Sequence, residues 1–273
     1  MGTTRVLRAL IVGDVVGQPG CRALFLGLPE LIRKTDADLV VANGENAADG
    51  FGLTPEIAER MRATGVHVIT SGNHIWQKRE IYPALQTTDT LLRPENYPVI
   101  SGVGAIPGKG HCIVTVRDIP ILVINLEGRV NLSPLRDPLS VGKALVKQFR
   151  SKVKAAIVDF HAEAVEEKEA LALYLDGDVS AVVGTHTHVQ TADERILPGG
   201  TAYITDVGMT GARGGVIGVK REQAVEALVT QMPVRFEPSE VDPWLNAVVI
   251  RASSPLRADG IDQLLVPAPA GFR

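Results

Sequence analysis

The 273-residue chain is 45% hydrophobic and 22% charged, as an ordinary globular protein is, and its formal net charge of −3 argues against a nonspecific nucleic-acid binder. Its two cysteines, Cys21 and Cys112, predict neither a disulfide framework nor a thiolate metal cluster. We predict a single domain over 1–273 and a cytoplasmic location. The N-terminus lacks the features of a signal peptide, and no apolar run approaches the roughly 18 residues of a membrane span.

The first third of the chain alternates apolar runs with helical spacings. Strands are predicted at 6–12, 39–42 and 66–70, and helices at 22–34 and 54–65. The second helix has Thr54 as its expected N-cap and Pro55 at its first position. Because strands alternate with helices, we expect a mainly parallel sheet.

The rest of the chain adds antiparallel strands to this pattern. Residues 112–116 and 121–125 flank Arg117-Asp118-Ile119-Pro120, which predicts a hairpin. The further elements expected are helices at 141–153, 164–175 and 223–229 and strands at 155–160, 179–183, 201–205 and 245–251. The charged run Glu163–Glu169 is interpreted as a solvated helix face. The tail from Pro255, rich in Pro and Gly, is predicted to be irregular.

Two histidines follow the apolar run 179–183, in the segment Gly184-Thr185-His186-Thr187-His188. Residues i and i+2 of an extended segment project to the same side, so both imidazoles can face one point. Imidazole is the commonest metal ligand in proteins, although two surface histidines on a loop would give the same pattern. The other strand ends decide between these alternatives.

Four other predicted strands also end in polar side chains. These are Asp14, Glu45 with Asn46, Asn73 with His74, and His161. In an open α/β sheet, ligands bind outside the carboxyl ends of the strands. Turns favour Asp and Asn but do not call for Glu or His, so turn formation does not explain the whole set.

The combined set offers about seven donors from carboxylates, carboxamides and imidazoles. That number is too large for one ion with an open position and suits two adjacent ions that share a carboxylate. Two-metal sites with ions ~3.5–4 Å apart serve in-line displacement at phosphorus. Nitrogen and oxygen donors without sulfur favour Mn, Fe, Zn, Co or Ni over Mg or Cu(I).

The motif segments are Gly13-Asp14-Val15-Val16-Gly17, Asn43-Gly44-Glu45-Asn46, Gly72-Asn73-His74 and the segment Gly184–His188. Together they resemble the motifs of the calcineurin-like metallophosphoesterases, and more closely those of the YmdB branch. The later segment Thr205–Gly211 is similar as well, so the resemblance runs from the first strand to about residue 250. It implies a four-layer α/β/β/α sandwich in which central mixed β-sheets are flanked by helices.

The resemblance also implies a role for each donor. One ion would be held by Asp14, Asn46 and His188, the second by Asn73, His161 and His186, with Glu45 bridging the two. Asn46 would either give an amide oxygen or only shape its turn. The two histidines of the opening pair would therefore belong to different ions.

His74 is expected to stay unligated and to protonate the departing ribose oxygen as a general acid, or to make a purely electrostatic contact to phosphate. Asn125 and Arg129 are weaker candidates for substrate contact, and a surface role is favoured for the arginine. Val16 stands where the wider superfamily usually has a histidine. The loop Ala212-Arg213-Gly214-Gly215 departs from the version associated with the branch, which bears on substrate choice.

The resemblance implies a phosphodiesterase that hydrolyses 2′,3′-cyclic nucleotides, and 3′,5′-cyclic nucleotides as a further substrate, by attack of a hydroxide held between two ions, with Fe or Mn expected. The alternatives are a phosphomonoesterase or ribonuclease with the same metals, and a signalling protein that binds a nucleotide without turnover. A small cyclic nucleotide is favoured over RNA, a homo-oligomer is expected, and no membrane partner is expected.

Overall fold

Two β-sheets pack face to face, and helices cover their outer faces. The computed structural model describes residues 7–98 and 106–269, so position 6 of the first predicted strand lies outside the described residues. No helix within these ranges is both long and apolar enough to cross a membrane.

The strands follow the chain in this order: β1 (Leu7–Val12), β2 (Asp14–Val15), β3 (Leu39–Asn43), β4 (Val68–Thr70), β5 (His111–Val116), β6 (Ile119–Glu127), β7 (Ala155–His161), β8 (Ala181–Thr185), β9 (Arg195–Ile196), β10 (Ala202–Ile204), β11 (Met209–Ala212), β12 (Pro243–Ala252) and β13 (Gly260–Pro267). The helices are α1 (Gly17–Thr35), α2 (Pro55–Ala63), α3 (Tyr82–Thr87), α4 (Pro138–Phe149), α5 (Val165–Tyr174) and α6 (Arg221–Thr230), with short 3₁₀ turns at Arg79–Ile81 and Arg150–Lys152.

Each sheet combines parallel and antiparallel strands. The first has the order β2-β11-β12-β1-β3-β4, with β13 also paired to β12, and the second has the order β5-β6-β7-β8-β10-β9. In the first sheet β1, β3 and β4 are parallel. In the second, β6, β7, β8 and β10 are parallel, and the predicted hairpin joins β5 to β6. The carboxyl ends of these parallel strands carry the polar motifs.

Three apolar clusters account for the four layers. One lies between the sheets and joins Ile11 and Val41 of the first to Val123 and Val183 of the second. The other two lie outside, where the opposite strand faces meet α1 and α2 on one side and α4 and α5 on the other. Because neighbouring strand residues point to opposite faces, strands buried on both sides are apolar throughout. The predicted four-layer α/β/β/α sandwich is confirmed.

Helix starts follow local capping chemistry. The Thr54 hydroxyl accepts a hydrogen bond from the Ile57 N–H, with Pro55 at the first helical position, as predicted. α1 begins at Gly17, five residues before the predicted start at 22. Its first turn contains Pro19, which a helix tolerates there because the N–H groups of that turn lack intrahelical partners.

The prediction of an irregular tail is wrong for residues 260–267. β13 pairs antiparallel with β12 along its whole length, from Gly260 opposite Arg251 to Pro267 opposite Trp244. Its alternating exposure is that of an edge strand with one face on the protein. Gly260 and Pro267 lie at the two ends of this strand. The strand depends on a partner that local composition does not show.

Candidate metal centre

The polar residues predicted at five strand ends meet at one edge of the two sheets. Asp14 follows β1, Glu45 and Asn46 follow β3, and Asn73 and His74 follow β4 in the first sheet. His161 ends β7, and His186 and His188 follow β8 in the second sheet. The side chains of Asp14, Glu45 and His161 are fully buried. The sandwich thus brings together every metal ligand that the sequence predicted.

One group of donors surrounds the Nε2 atom of His161. This atom lies 3.0 Å from Glu45 Oε1, 3.1 Å from Asn73 Oδ1 and 3.0 Å from His186 Nδ1. The ligand atoms of Glu45, His161 and His186 all lie close enough together to hold one ion. Two imidazole nitrogens and two oxygens at this spacing match the nitrogen and oxygen ligands of transition-metal ions.

A second group lies beside it, with Glu45 between the two. The amide nitrogen of Asn46 is 3.1 Å from Glu45 Oε1 and 3.2 Å from His188 Nε2, and Asp14 Oδ2 accepts a hydrogen bond from the backbone N–H of His186. Within the described residues, the buried atoms Asp14 Oδ1 and Asn46 Oδ1 have no hydrogen-bond partner. An unsatisfied buried acceptor costs roughly 1–3 kcal/mol, and a bound cation would remove that cost. The donors therefore fit a metal ion.

Each histidine of the groups is oriented through its second ring nitrogen. His161 Nδ1 lies 3.0 Å from Thr185 Oγ1, whose hydroxyl in turn donates to Asp159 Oδ1. His188 Nδ1 lies 2.9 Å from the carbonyl oxygen of Ile217, to which it can only donate. Such bonds fix the tautomer that leaves the other nitrogen free for a metal. No pattern in the sequence pointed to the partners of these rings.

Glu163 holds the third histidine, which corrects the interpretation of Glu163–Glu169 as a solvated face. Its carboxylate lies 3.1 Å from His186 Nε2, opposite the Nδ1 that faces His161. A carboxylate behind a ligating histidine raises the basicity of the ring and fixes its direction. Within the same run Lys168 is buried as well. Glu163 and Lys168 therefore support the site, while Glu166 of the same run faces solvent as predicted.

Lys168 forms a buried ion pair beneath the histidine loop. Its ammonium lies 2.8 Å from Asp206 Oδ2, and both side chains are at most 1% exposed. The same carboxylate oxygen accepts hydrogen bonds from the backbone N–H and the hydroxyl of Thr187, which separates the two histidines. His186 and His188 both have positive φ angles, 101° and 65°, which are uncommon for non-glycine residues. The Asp206 carboxylate therefore holds the loop in this conformation.

Burial and charge within the cluster together lower the pKa values of Glu45 and His186 and raise that of His161. Burial acts to raise the pKa of Glu45, but the charge and hydrogen bond of His161 lower it to about 2. Burial acts to lower the pKa of His161, but Glu45 and Asp14 raise it to about 9. Burial and the neighbouring His161 lower the pKa of His186 to about 3. Without a metal ion, a proton on His161 supplies the positive charge among these carboxylates, and a bound metal ion would replace that proton.

His74 faces the same cavity as the donors without joining either group. Its backbone N–H donates to Glu45 Oε2, and its ring packs edge-on against Phe51 with centroids 5.1 Å apart. Its Nδ1 atom is buried and has no partner among the described residues. Burial lowers the pKa of the imidazole, which makes its protonated form a stronger acid.

The motif glycines keep the strand ends close. A β-carbon on Gly72 would overlap the imidazole ring of His161, so the first sheet can approach the second at this point only without a side chain. A β-carbon on Gly184 would overlap the carbonyl oxygen of Thr205. These glycines therefore belong to the geometry of the cluster.

Asn125 ties the two sheets together next to the site. Its side-chain oxygen accepts from the Ser71 N–H and its amide donates to the Ser71 carbonyl, both at 2.9 Å. These bonds position the residues just before Asn73. Asn125 is fully buried and does not line the cavity, contrary to the expectation of a contact with substrate. Arg129 is half-exposed and pairs with Asp137, as expected for a surface arginine.

The sequence of the chain matches the model of the YmdB-like family over residues 10–264. The chain belongs to the YmdB-like family. The resemblance inferred from the motifs is thus confirmed. The chain is 46% identical over 244 residues to a Bacillus subtilis protein named 2′,3′-cyclic-nucleotide 2′-phosphodiesterase. The aligned region covers 89% of this chain and 90% of that relative.

Two solved structures share this fold over nearly their whole length. A Mycoplasma pneumoniae protein described as a novel phosphatase has a TM-score of 0.90 and 33% identity, covering 96% of this chain and 94% of its own. A hypothetical protein from Thermus thermophilus has a TM-score of 0.88 and 40% identity, covering 96% of this chain and 100% of its own. The fold of this chain is therefore shared with these structures over nearly its entire length.

Proposed function

We propose that this protein is a dinuclear-metal phosphodiesterase that hydrolyses 2′,3′-cyclic nucleotides. The observation that carries the proposal is the pair of adjacent donor groups that share Glu45 and open, with His74, into one cavity of about 560 Å³. The Bacillus subtilis relative, named for this activity, supports the choice of substrate. Cleavage of 3′,5′-cyclic nucleotides is a further activity of the same proposed site.

Two ions would be held by side chains already in place. The first would be bound by Asp14, Asn46, His188 and Glu45, and the second by Glu45, Asn73, His161 and His186. When bound, the ions would supply an activated water nucleophile and neutralise charge on the phosphoryl oxygens. Nitrogen and oxygen donors without sulfur suit Mn, Fe, Zn, Co or Ni. Among these we propose iron or manganese, because of the resemblance to the family.

His74 would complete the reaction on the leaving-group side. In hydrolysis of a 2′,3′-cyclic phosphate the elements of water are added, the bond from phosphorus to O2′ breaks, and O2′ must gain a proton. His74 lines the cavity, and its buried Nδ1 has no partner among the described residues. Because burial lowers the pKa of the ring, the negative charge of the bound phosphate would have to keep it protonated before it gives up the proton. General acid catalysis of this kind contributes typically ~10²–10⁴-fold.

The test is hydrolysis of 2′,3′-cyclic AMP by the metal-loaded protein, followed by chromatography of the nucleotide products. The wild-type protein should release the 3′-nucleotide, and His74→Ala should lose at least ~10²-fold in kcat while it keeps its metal. His111→Ala is the matched control, because that imidazole pairs with Glu95 outside the cavity.

The outcomes separate the alternatives. Full activity of His74→Ala would refute the acid role alone. Stoichiometric binding of the nucleotide without product over hours would refute the enzyme and favour a binding protein. Faster cleavage of nucleoside monophosphates or of short RNA than of the cyclic nucleotide would favour a phosphomonoesterase or a ribonuclease.

A further inference from the structure

The cavity beside the metal centre has two chemically different ends. At one end lie Glu45, Asn46, His74, His186 and His188, which are the polar groups already described. The other end is mostly apolar. It is lined by Ile217, Val219, Ala227, Leu228 and Phe236, with Gln231 and Glu237 as polar exceptions. Its volume of about 560 Å³ lies within the range of small-molecule sites, which are typically mostly apolar with a few polar groups that fix orientation.

A single tight turn joins the two ends. Val216 and Val219 exchange backbone hydrogen bonds of 2.9 Å, and the intervening Ile217 and Gly218 have φ angles of 45° and 92°. The carbonyl of Ile217 receives the hydrogen bond of His188 Nδ1, while its side chain lines the cavity. A positive φ is a strained conformation for a β-branched residue, and such strain concentrates at functional sites. The turn therefore places an apolar surface at a fixed distance from the metal ligands.

The loop 212–215 sets the position of this turn. A β-carbon on Gly214 would overlap Val241, and one on Gly215 would overlap the carbonyl oxygen of Val219. Only glycine allows the chain to pass so close to the turn that carries Ile217. The loop thus contributes to the shape of the apolar end through its close approach to Val219.

The cavity lacks cationic side chains for a second phosphate. None of the residues that line it, all within the described chain, is Lys or Arg. Lys220 follows the lining residue Val219, but its ammonium is paired with the carboxylate of Glu237. Proteins that bind single-stranded nucleic acid track the backbone with a positively charged groove, and this cavity has none.

We propose that the apolar end is the subsite for the nucleoside base of a substrate with one phosphate, with Phe236 and Leu228 as its main contacts. The inference rests on the proposed function and adds to it the part of the substrate that is recognised. The cyclic phosphate faces the metal ligands and the base lies against the apolar wall. A longer nucleotide chain would bring further phosphates into a region without cations.

The experiment compares kcat/KM for 2′,3′-cyclic AMP with kcat/KM for the 2′,3′-cyclic phosphate of methyl riboside, which has no base. Contact of a base with an aromatic side chain is worth ~1–3 kcal/mol, or about 5- to 150-fold, so the wild-type ratio should exceed 5. Phe236→Ala and Leu228→Ser should each lower this ratio several-fold. Val229→Ser is the matched control, because Val229 adjoins Leu228 on α6, is 77% exposed and does not line the cavity.

Two results would overturn the subsite. One is equal turnover of the base-bearing and base-free substrates, and the other is equal turnover of 2′,3′-cyclic AMP and of a dinucleotide that ends in a cyclic phosphate. Failure of the proposed function would look different, because neither cyclic phosphate would then be cleaved. Saturation-transfer NMR with adenosine gives a readout that is independent of metal. The base protons of adenosine should receive saturation from the metal-free wild-type protein, and this signal should be lost with Phe236→Ala.

Discussion

Asp206→Asn should destabilise the protein and loosen its histidine loop. The substitution keeps the shape of the side chain but removes the charge that pairs with Lys168, whose side chain is 1% exposed. It also replaces an oxygen that faces the ammonium at 2.8 Å and accepts both hydrogen bonds of Thr187. One change therefore disturbs a buried ion pair and the residue between His186 and His188.

The expected size follows from the burial of the pair. Removing one partner of a buried ion pair typically costs about 3–5 kcal/mol, because the remaining charge stays in a region without water. Lys168→Met should cost less, since Asp206 retains hydrogen bonds from Thr187 and from the Gly208 N–H. The double substitution should cost less than the sum of the two, since neither charge then remains unpaired.

Urea unfolding of the metal-free variants, followed by circular dichroism, measures these free energies. Glu30→Gln is the control, because its pair with Lys34 is exposed and should not measurably affect stability. Metal content measured on the folded protein should also fall in Asp206→Asn. A loss below about 1 kcal/mol together with unchanged metal retention would refute the supporting role of the pair.

Three further predictions concern the donors themselves. Gly72→Ala should displace the His161 ring and lower the metal content measured by mass spectrometry. A metal content equal to that of the wild type would show that the two sheets can move apart here without loss of metal. Because the pKa of His161 is raised to about 9, a metal ion must displace a proton at neutral pH. Manganese affinity measured by calorimetry should therefore rise with pH up to about 9, and a flat profile would contradict this coupling. Glu163→Gln should weaken metal binding ~10–100-fold through His186, whereas Glu166→Gln in the exposed first turn of α5 should not. Equal affinities would contradict the orienting role.

The donors at the strand ends could be predicted from sequence because the rule that places them is local. Each of Asp14, Glu45, Asn73, His161 and His186 follows or ends a short apolar run, and the carboxyl ends of parallel strands meet at one edge of a sheet. The N-cap at Thr54 and the hairpin at 117–120 could also be predicted, because neighbouring residues in the sequence determine them. Iron or manganese as the metal, cytoplasmic location and assembly into a homo-oligomer stay predictions.

The supporting residues could not be predicted, because their partners are distant in sequence. Lys168 and Glu163 belong to a run that has the composition of a solvated face, and their roles depend on Asp206 and His186 from later in the chain. β13 likewise depends on β12 for its hydrogen bonds. In each case the sequence shows one partner of the contact, while the fold determines the other.

The number of metal ions per chain tests the central claim most directly. Protein purified without oxygen should contain two transition-metal ions per chain. His186→Ala and His188→Ala should each retain about one, because the two histidines belong to different donor groups that share Glu45. Cleavage of 2′,3′-cyclic AMP should fall together with the loss of either ion. A single ion in the fully active wild-type protein, or the same ion lost in both variants, would contradict a dinuclear site.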